Sequence, residues 1–503
     1  MDQSEVVEFL SDPSTHGSDA PVEVITTHSA HVFLAGEVAY KIKRAVKYNY
    51  LDFSAPSVRR DIIRHEHALN TPAAPQIYDR VVAITREPSG KLALDGPGDP
   101  IEYALRMHRF PREAELSSIA DAGNLTNKIA EQLGAAAGRY HASAEMRSDD
   151  GAILIREIID ELREAFSDMG ATLGSDRLSA YFERTEQVYE SVATLLTDRT
   201  DQGFVRRCHG DLHLKNIVMM DGAPVPFDAL EFDERLGTCD IFYDLAFLIM
   251  DLRHRHLREQ ANVVLGSYLR ATGDFAGLAA LPLFLSIRAA IRSMVAVQTM
   301  SGSVSEEIAH DARTYLDQAV RYLSPAPPRL VAIGGVSGTG KTTVAGRIAP
   351  ILGPAPGAVH LRSDLERKAL FGVDPLVKLP DDAYRPDVNQ KVYARLLGHA
   401  EDILRAGHAV IVDATFLSEQ QAAAFRALAD RAAAPIDGIW LSADPDILAR
   451  RVAGRSGDAS DADVAVLRSQ LERQRKPPSW EDVDASGDVE TVVARVEACL
   501  FTV

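Results

Sequence analysis

The chain has 503 residues, which is too long for a single hydrophobic core and predicts about three structural units. Its 72 acidic and 54 basic residues give a net charge of -18, which argues against loose binding to nucleic acid or to anionic membranes. The cysteine spacing, the acidic amino terminus and the lack of a long uncharged apolar stretch predict no disulfide framework, signal peptide or membrane span, so we expect a cytoplasmic protein.

The first elements along the chain are three short strands, predicted at residues 22–27, 31–35 and 38–43 with turns between them. This spacing is typical of an antiparallel sheet. On the third strand Lys41 and Lys43 project from the same face, because side chains alternate along a strand. Either lysine could reach nucleotide phosphates, and a solvent-facing pair is the alternative.

A helix is predicted over residues 55–69, and it is followed by a strand at residues 101–107 that runs into a proline. A strand that ends at a proline suggests a hinge between a small sheet lobe, residues 1–108, and a helical lobe, residues 109–323. Apolar residues at helical spacing predict the helices of the second lobe, at residues 127–144, 151–197, 241–252, 255–271, 284–300 and 305–323.

The most informative stretch, at residues 208–233, reads CHGDLHLKNIVMMDGAPVPFDALEFD. Phosphoryl transfer needs a carboxylate that accepts the proton of the attacking hydroxyl and oxygen ligands that hold Mg²⁺ against the phosphates. Asp211 is the candidate base, and Asn216 and Asp228 are the candidate metal ligands. A hairpin that turns at residues 221–222 would bring both ligands to one metal. The alternative is an ordinary loop whose polar residues cap turns.

The spacing of these residues resembles the HRDxxxxN and DFG motifs of protein kinases, and HGDLHLKN resembles the loop of the aminoglycoside phosphotransferase superfamily. The resemblance implies a bilobal kinase fold in which Lys41, at the end of VAYK, contacts the phosphates and Glu66 holds this lysine. For Glu66 a plain surface carboxylate is the alternative. It also implies that backbone groups from Met107 to Arg109 bind adenine, and an ordinary interlobe linker is the alternative. It further implies that Asp244 supports the loop, with a helix N-cap as the alternative. Glu231 is either a carboxylate close to the metal or a solvated edge residue.

After a proline-rich linker at residues 324–328, the sequence LVAIGGVSGTGKTTVAGRIA predicts an apolar strand, a glycine-rich loop and a helix. In the motif GxxxxGKT, backbone amides surround phosphates, the lysine reaches the terminal phosphates and the threonine hydroxyl binds Mg²⁺. The nucleotide contacts predicted from this motif are Gly335, Ser337, Gly338, Thr339, Gly340, Lys341, Thr342 and Thr343, with Thr342 also a metal ligand. Alternating strands and helices predict a parallel sheet flanked by helices over residues 329–503.

The second motif set resembles the P-loop kinases of the zeta-toxin and polynucleotide-kinase type. The resemblance implies that Asp364, in SDLER, acts on the acceptor hydroxyl and that Asp413, at a strand end, binds the metal or positions water. It also implies that Arg451 and Arg455 belong to a lid over the phosphates, and a solvated helix face is the alternative for both.

In this order the motifs resemble the bacterial proteins that fuse an aminoglycoside phosphotransferase-like kinase to a P-loop ATP-binding domain. The resemblance implies two sites for ATP and Mg²⁺ and transfer to a small hydroxyl-bearing molecule, while the second domain is either another kinase or a regulatory ATPase. A competing hypothesis is a nucleotide-sensing protein that binds ATP without acceptor turnover. Asp211 and Asp364 argue against it, because a pure binder needs no base beside its metal ligands.

Overall fold

The computed structural model describes residues 3–48, 51–299, 306–454 and 459–501. The chain forms two compact units, one from Met1–Ile155 with Leu196–Asp251 and one from Arg156–Leu195 with Leu252–Val503. The proline-rich segment at residues 324–328 lies inside the second of these units.

The described residues contain both strands and helices, in agreement with the predicted mixed class. The strands are β1 (Glu23–Thr26), β2 (Ala30–Ala35), β3 (Val38–Lys43), β4 (Lys47–Tyr48), β5 (Leu51–Asp52), β6 (Tyr78–Arg86), β7 (Leu92–Leu94), β8 (Asp99–His108), β9 (Val205–Arg207), β10 (Ile217–Met220), β11 (Ala223–Pro226), β12 (Thr238–Asp240), β13 (Leu330–Gly334), β14 (Val359–Arg362), β15 (Val410–Asp413), β16 (Ile436–Ser442) and β17 (Glu481–Asp484). The α-helices are α1 (Ser4–Ser11), α2 (Pro56–Asn70), α3 (Leu116–Asp121), α4 (Asn127–Ser143), α5 (Gly151–Phe166), α6 (Gly170–Leu173), α7 (Ser175–Asp201), α8 (Glu234–Gly237), α9 (Ile241–His254), α10 (Arg258–Thr272), α11 (Leu281–Gln298), α12 (Glu306–Tyr322), α13 (Lys341–Ile348), α14 (Ser363–Leu370), α15 (Pro386–Arg405), α16 (Glu419–Arg431), α17 (Pro445–Ala453), α18 (Val464–Arg473) and α19 (Val489–Phe501).

The first unit contains an antiparallel sheet with the strand order β1-β2-β3-β8-β6-β7 among the described residues. Helix α2 packs against β8 and β6 of this sheet. It begins with Pro56, whose fixed φ suits the first helical turn. Its buried residues, Arg59, Ile63, Glu66 and Asn70, recur every three or four positions and therefore lie on one face of the helix. This spacing buries the Glu66 carboxylate between helix and sheet.

The hairpin predicted in the first unit is confirmed. Strands β10 and β11 pair antiparallel, with Ile217 opposite Pro226. The turn residues Asp221 and Gly222 have φ values of 50° and 77°, the left-handed pair that a tight two-residue hairpin turn requires. The Phe227 amide donates to the Asn216 carbonyl at 2.9 Å, so the hairpin places Asp228 one residue from the partner of Asn216.

The second unit contains a parallel sheet with the order β14-β15-β13-β16-β17 among the described residues. Strand β13 lies at its centre and is buried along its whole length, which explains its continuous apolar sequence. Because the strands are parallel, the loop after β13 and Asp413, the last residue of β15, meet at the same edge. This arrangement confirms the predicted parallel sheet flanked by helices.

Helix α10 contacts this sheet domain within the second unit. The buried Asn262 donates its side-chain amide to the Ala358 carbonyl at 3.0 Å, and Glu259 lies 3.5 Å from Arg347. The described helices before residues 324–328 and the sheet domain after them are thus joined by polar contacts as well as by the chain.

Helix α11 is the one helix among the described residues that has the length and apolar composition of a membrane span. However, 56% of this stretch is buried inside the protein. Ser286 and Ser293 on α11 donate to the carbonyls of Ala319 and Ala312 on α12, at 2.9 Å and 2.8 Å. Both features are typical of a helix that belongs to a protein core.

Candidate active site

Lys41 lies at the centre of the charged cluster in the first unit. Its ammonium donates to Glu66 Oε1 at 2.7 Å and to Asp228 Oδ1 at 2.6 Å. Burial would raise the pKa of Glu66, but the charges of Lys41 and Lys43 lower it to about 2. Burial would lower the pKa of Lys41, whereas Asp228 and Glu66 raise it well above its ordinary value. Both groups are therefore charged at neutral pH, the state in which a lysine can bind phosphate.

Lys43 shares the same glutamate with Lys41. Its ammonium lies 2.6 Å from Glu66 Oε2 and also contacts Glu231 Oε1. The Lys43 and Glu231 side chains are 1% and 8% exposed, so the interpretation of Glu231 as a solvated edge residue is wrong. The two lysines therefore have different second partners, because Lys41 contacts Asp228 and Lys43 contacts Glu231.

Asp211 lies in the loop after β9, and its side chain is 40% exposed. The Asn216 side-chain amide donates to Asp211 Oδ2 at 2.8 Å and to the Asp211 carbonyl at 3.0 Å. His213 Nε2 lies 3.3 Å from the same Oδ2. Because the amide nitrogen of Asn216 is used by Asp211, its carbonyl oxygen is the atom that it can offer to a cation.

Asp244 supports the backbone of this loop. Its fully buried carboxylate accepts the amides of His209 at 3.1 Å and Gly210 at 2.9 Å, and His141 Nε2 lies 3.1 Å from Oδ2. Gly210 has a φ of 81°, and a Cβ there would lie 3.2 Å from the Leu230 Cβ, so this turn favours glycine. Helix α9 begins at Ile241, so the interpretation of Asp244 as its N-cap is wrong.

Asp228 is held in a left-handed backbone conformation with a φ of 60°. Its amide donates to the Tyr78 hydroxyl oxygen at 2.8 Å, and the next amide, of Ala229, donates to Asn70 Oδ1 at 2.8 Å. Such conformations cost energy in residues other than glycine and persist where neighbouring contacts hold them. A carboxylate and an amide oxygen at the base of one hairpin fit Mg²⁺, which prefers oxygen donors.

Met107 lies within the sheet of the first unit. It pairs with Ala39 on β3 and with Tyr78 on β6. The amides that follow it, of His108 and Arg109, donate to backbone carbonyls at 2.8 Å and 2.9 Å. These two amides are engaged within the protein, and adenine binding near Met107 stays a prediction.

The glycine-rich loop between β13 and α13 borders a cavity of about 450 Å³ in the second unit. Gly338 has a φ of 89°, and a Cβ there would lie 2.9 Å from the Leu448 carbonyl oxygen, so the loop packs closely on its neighbour. The predicted residues that line the cavity are Ser337, Gly338, Gly340, Lys341, Thr342 and Thr343. Thr339 instead is 1% exposed and donates its hydroxyl to the Val336 carbonyl at 2.9 Å, and Gly335 lies against the Leu441 carbonyl.

Thr342 and Asp413 form the predicted metal pair at the edge of the parallel sheet. The Thr342 hydroxyl donates to Asp413 Oδ2 at 2.6 Å. Burial would raise the pKa of Asp413, but the hydrogen bond and charge of His360 and the charges of Lys341 and Arg362 lower it to about 2. A hydroxyl and an ionised carboxylate in contact are a donor set that fits Mg²⁺.

Asp364 lines the same cavity from the first turn of α14. Burial and the neighbouring Asp413 raise its pKa, which favours a carboxylate that exchanges a proton. Three residues on, Arg367 is 7% exposed and donates to the Ala383 carbonyl at 2.7 Å and to Asn389 Oδ1 at 2.6 Å. Arg367 therefore organises one wall of the cavity.

Of the two predicted lid arginines, the structure describes only Arg451, which is not among the residues that line the cavity. Arg451 donates to the backbone carbonyls of Ala485 at 2.8 Å and Gly487 at 3.0 Å. Neither of these two residues lines the cavity. Arg455 lies outside the described residues. Arg473, at the end of α18, is an arginine that does line the cavity.

Several residues that line this cavity belong to none of the predicted motifs, namely Lys378, Tyr384, Asn389, Tyr393, Asp461, Gln470 and Arg473. Gln470 accepts the Ser337 amide at 2.7 Å, and that amide is one of those that the loop motif offers to phosphate. No local pattern marks these positions, because they reach the cavity from separate loops and helices.

Comparison with known proteins finds two family models, which match the parts of the chain that hold most of these site residues. Residues 64–281 match the family model described as phosphotransferase enzyme family, and residues 330–477 match the model described as AAA domain. Uncharacterized proteins of Mycobacterium tuberculosis and Mycobacterium bovis are each 28% identical over 489 residues, which cover 95% of this chain and 95% of the relative.

Solved structures also resemble parts of the chain. An unliganded sugar kinase from Janibacter is 23% identical, with a TM-score of 0.27 over 35% of this chain and 95% of that chain. A choline/ethanolamine kinase family protein from Mesorhizobium loti is 12% identical, with a TM-score of 0.36 over 63% of this chain and 96% of that chain. With the two family matches and the geometry above, the chain combines a phosphotransferase enzyme family domain at residues 64–281 with a carboxy-terminal P-loop, kinase-like AAA domain at residues 330–477.

Proposed function

We propose that this chain is an ATP-dependent phosphotransferase that uses the charged site of the first unit to phosphorylate a hydroxyl group of a small molecule. The main support is the pair of contacts from Lys41 to Glu66 and Asp228, at 2.7 Å and 2.6 Å. They join the proposed phosphate-binding lysine to a candidate metal ligand, Asp228, which follows the backbone partner of Asn216. The side-chain amide of Asn216 in turn holds the candidate base Asp211. The match of residues 64–281 to the phosphotransferase enzyme family agrees with this proposal.

In the proposed mechanism, Asp211 orients the acceptor hydroxyl and accepts its proton at the exposed carboxylate. Asn216 keeps that carboxylate in place by a hydrogen bond, and Asp244 keeps the loop backbone in place by accepting its amides. Lys41 binds phosphate oxygens while Glu66 fixes its ammonium. Asn216 and Asp228 would hold Mg²⁺, which when bound neutralises phosphate charge.

We propose that the second unit also transfers phosphate, with Asp364 as the proton acceptor, and is not only a nucleotide sensor. Thr342 and Asp413 would hold the metal, and Lys341 would bind the terminal phosphates. The support is that the cavity continues beyond the phosphate loop to Asp364 and to the wall that Arg367 organises, which leaves space for an acceptor. A regulatory ATPase is the second candidate, in which nucleotide binding would displace the Gln470 contact to the Ser337 amide.

A metabolite-library screen with radiolabelled ATP, run on wild type and on two matched variants, tests the first site. We expect Asp211→Asn to lower transfer by about 10² to 10⁴-fold while ATP still binds, because the base acts on the acceptor. Asp221→Asn is the control, since asparagine suits the left-handed hairpin turn and should leave transfer unchanged. Wild-type turnover in Asp211→Asn would remove this residue from the mechanism, and Asp364→Asn tests the second site in the same way.

We further propose a cytoplasmic protein whose partners do not include nucleic acid. The support is the net charge of -18, since counterion release on DNA or RNA requires clustered cations. Label should pass to a 5′-hydroxyl oligonucleotide far more slowly than to the small acceptor at physiological salt. Comparable rates on the two acceptors would contradict this proposal.

A further inference from the structure

A second cavity, of about 350 Å³, lies in the second unit apart from the P-loop site. Its walls come from the α9–α10 connection, the end of α12, the proline-rich segment and a loop at residues 353–355. Its lining includes three arginines, Arg253, Arg258 and Arg321, and one histidine, His256. We name it the Arg258 cavity.

The charge of the Arg258 cavity is opposite to that of the chain. Its described lining includes three arginines and a histidine but no aspartate or glutamate, whereas acidic residues outnumber basic ones by 72 to 54 in the sequence. Within the described part of the chain, Arg253, Arg258 and Arg321 form no ion pair with a carboxylate. The cluster therefore has an uncompensated positive charge.

The neighbours given for two of these arginines, Arg321 and Arg253, are a backbone carbonyl and a tyrosine. Arg321 uses its Nε to donate to the Asp317 carbonyl on its own helix at 3.1 Å, which leaves its terminal nitrogens for another partner. The guanidinium of Arg253 lies 5.9 Å from the ring of Tyr322, which is buried. Thr314, Gln318 and Ser324 add neutral hydrogen-bonding groups to the same walls.

We propose that the Arg258 cavity binds a small anion that carries two or more phosphate charges, in the class of pyrophosphate or a phosphorylated metabolite. A planar guanidinium group binds two phosphate oxygens at once. Three guanidinium groups therefore suit an anion with three or four negative charges better than they suit an anion with a single carboxylate. The bound anion would bridge the helices that precede residues 324–328 and the loop at residues 353–355 of the sheet domain. This site is additional to the two proposed nucleotide sites and does not depend on their activity.

Arginine footprinting of the full chain tests the proposal residue by residue. The chain is modified with phenylglyoxal in the absence of Mg²⁺, and the modified peptides are measured by mass spectrometry. One sample contains pyrophosphate, and the other contains sodium chloride at the same ionic strength. We expect pyrophosphate to slow modification of Arg258 and Arg321 several-fold. Arg405 and Arg431, which are 70% and 61% exposed elsewhere in the unit, should react at unchanged rates. Protection of Arg473 alone would mean binding at the P-loop cavity only and would overturn the proposal.

Two single variants test whether the arginines act together. Arg258→Gln should abolish the protection of Arg321, because the remaining charges hold the anion less well. Arg405→Gln is the matched control and should keep that protection. Both positions are exposed, so neither change should unfold the chain, which the fluorescence of Trp440 and Trp480 verifies.

Three outcomes would overturn the assignment. The first is an equal modification rate of Arg258 and Arg321 with and without saturating pyrophosphate. The second is full protection of Arg321 in Arg258→Gln. The third is protection by malonate at the same concentration as pyrophosphate, which would show a general carboxylate site instead of a phosphate site.

Discussion

Lys43 and Glu231 form a buried ion pair beside the pair of Lys41 and Asp228, and Glu66 joins the two pairs through its two carboxylate oxygens. The lysines are two residues apart on β3, so strand geometry gives them the same direction. Each lysine takes one oxygen of Glu66. The orientation of the carboxylate that fixes Lys41 therefore depends on Lys43.

We expect Lys43→Met to impair both catalysis and stability of the first unit. It frees one oxygen of Glu66 and leaves Glu231 buried without its cation, which should destabilise the unit by about 3 to 5 kcal/mol. Loss of such a positioning contact should lower phosphate transfer by about 10 to 100-fold, with a raised KM for ATP. Steady-state kinetics measure the transfer, and hydrogen exchange in peptides from Pro56–Asn70 measures the local stability.

Matched variants separate positioning from folding in this experiment. Lys47→Met removes a lysine whose side chain is 72% exposed and whose ion-pair partner, Asp52, is 45% exposed. Neither phosphate transfer nor local stability should therefore change. The double variant Lys43→Met/Glu231→Met replaces the buried pair by apolar side chains and should recover stability but not transfer. Recovery of both properties would show that Lys43 has only a structural role.

Asp228→Asn should weaken Mg²⁺-dependent ATP binding in the first unit by at least about tenfold, because a neutral amide replaces a charged ligand. Asparagine tolerates the left-handed φ of 60°, so the backbone should be retained. Calorimetric titration at several Mg²⁺ concentrations, in a Lys341→Ala background, measures this site alone. An unchanged Mg²⁺ dependence would exclude Asp228 as a ligand.

Lys341→Ala should silence the P-loop site and leave the first site able to bind ATP. The ammonium at this position interacts with the phosphates of its own nucleotide, and each motif set is complete within its own part of the chain. Both tryptophans, Trp440 and Trp480, lie near the parallel sheet and are 4% exposed, so their fluorescence reports on the second unit. Calorimetry should show one binding event where wild type shows two. Loss of both events in a folded variant would mean that the sites are coupled.

His408 should make the second unit sensitive to acid. It is 1% exposed, it hydrogen-bonds to the Gly357 carbonyl at 3.0 Å, and burial lowers its pKa from 6.5 to about 4. Above pH 6.5 the ring is neutral in the folded and unfolded states and adds no pH dependence. As the pH falls from 6.5 to 4, the unfolded state binds a proton that the folded state excludes, so about 3 kcal/mol of stability is lost.

His408→Gln keeps an N–H donor but removes the titrating ring. Urea unfolding, followed by tryptophan fluorescence at about pH 7 and about pH 4.5, should show a smaller loss of stability in this variant than in wild type. The exposed His310→Gln is the control and should behave as wild type. An identical loss in His408→Gln and wild type would contradict the assignment.

The sequence by itself determined the features that are local in the chain. The Asp-Gly turn at residues 221–222, the spacing of Asp211 and Asn216, and the glycine-rich loop before Lys341 each depend on a few consecutive residues. Their backbone geometry follows from glycine, turn residues and hydrogen bonds within the segment. Apolar periodicity likewise predicted α2, α4, α9, α10, α11 and α12 within a few residues of their observed ends, whereas the stretch predicted as helical at residues 151–197 is divided among α5, α6 and α7. The strand β6 was missed, although it contains an apolar run at residues 81–84.

The tertiary structure alone decided which distant side chains meet. Lys43 and Glu231 are 188 positions apart, and their contact depends on the register of β3 and on the path of the chain after the hairpin. The same holds for Arg451, whose partners are backbone carbonyls near Ala485, and for the arginines of the Arg258 cavity. A charged residue has the same local pattern whether it faces solvent, a buried carboxylate or a ligand. Its partner is selected by burial and packing between segments, because only desolvation makes a particular ion pair or an uncompensated charge energetically important.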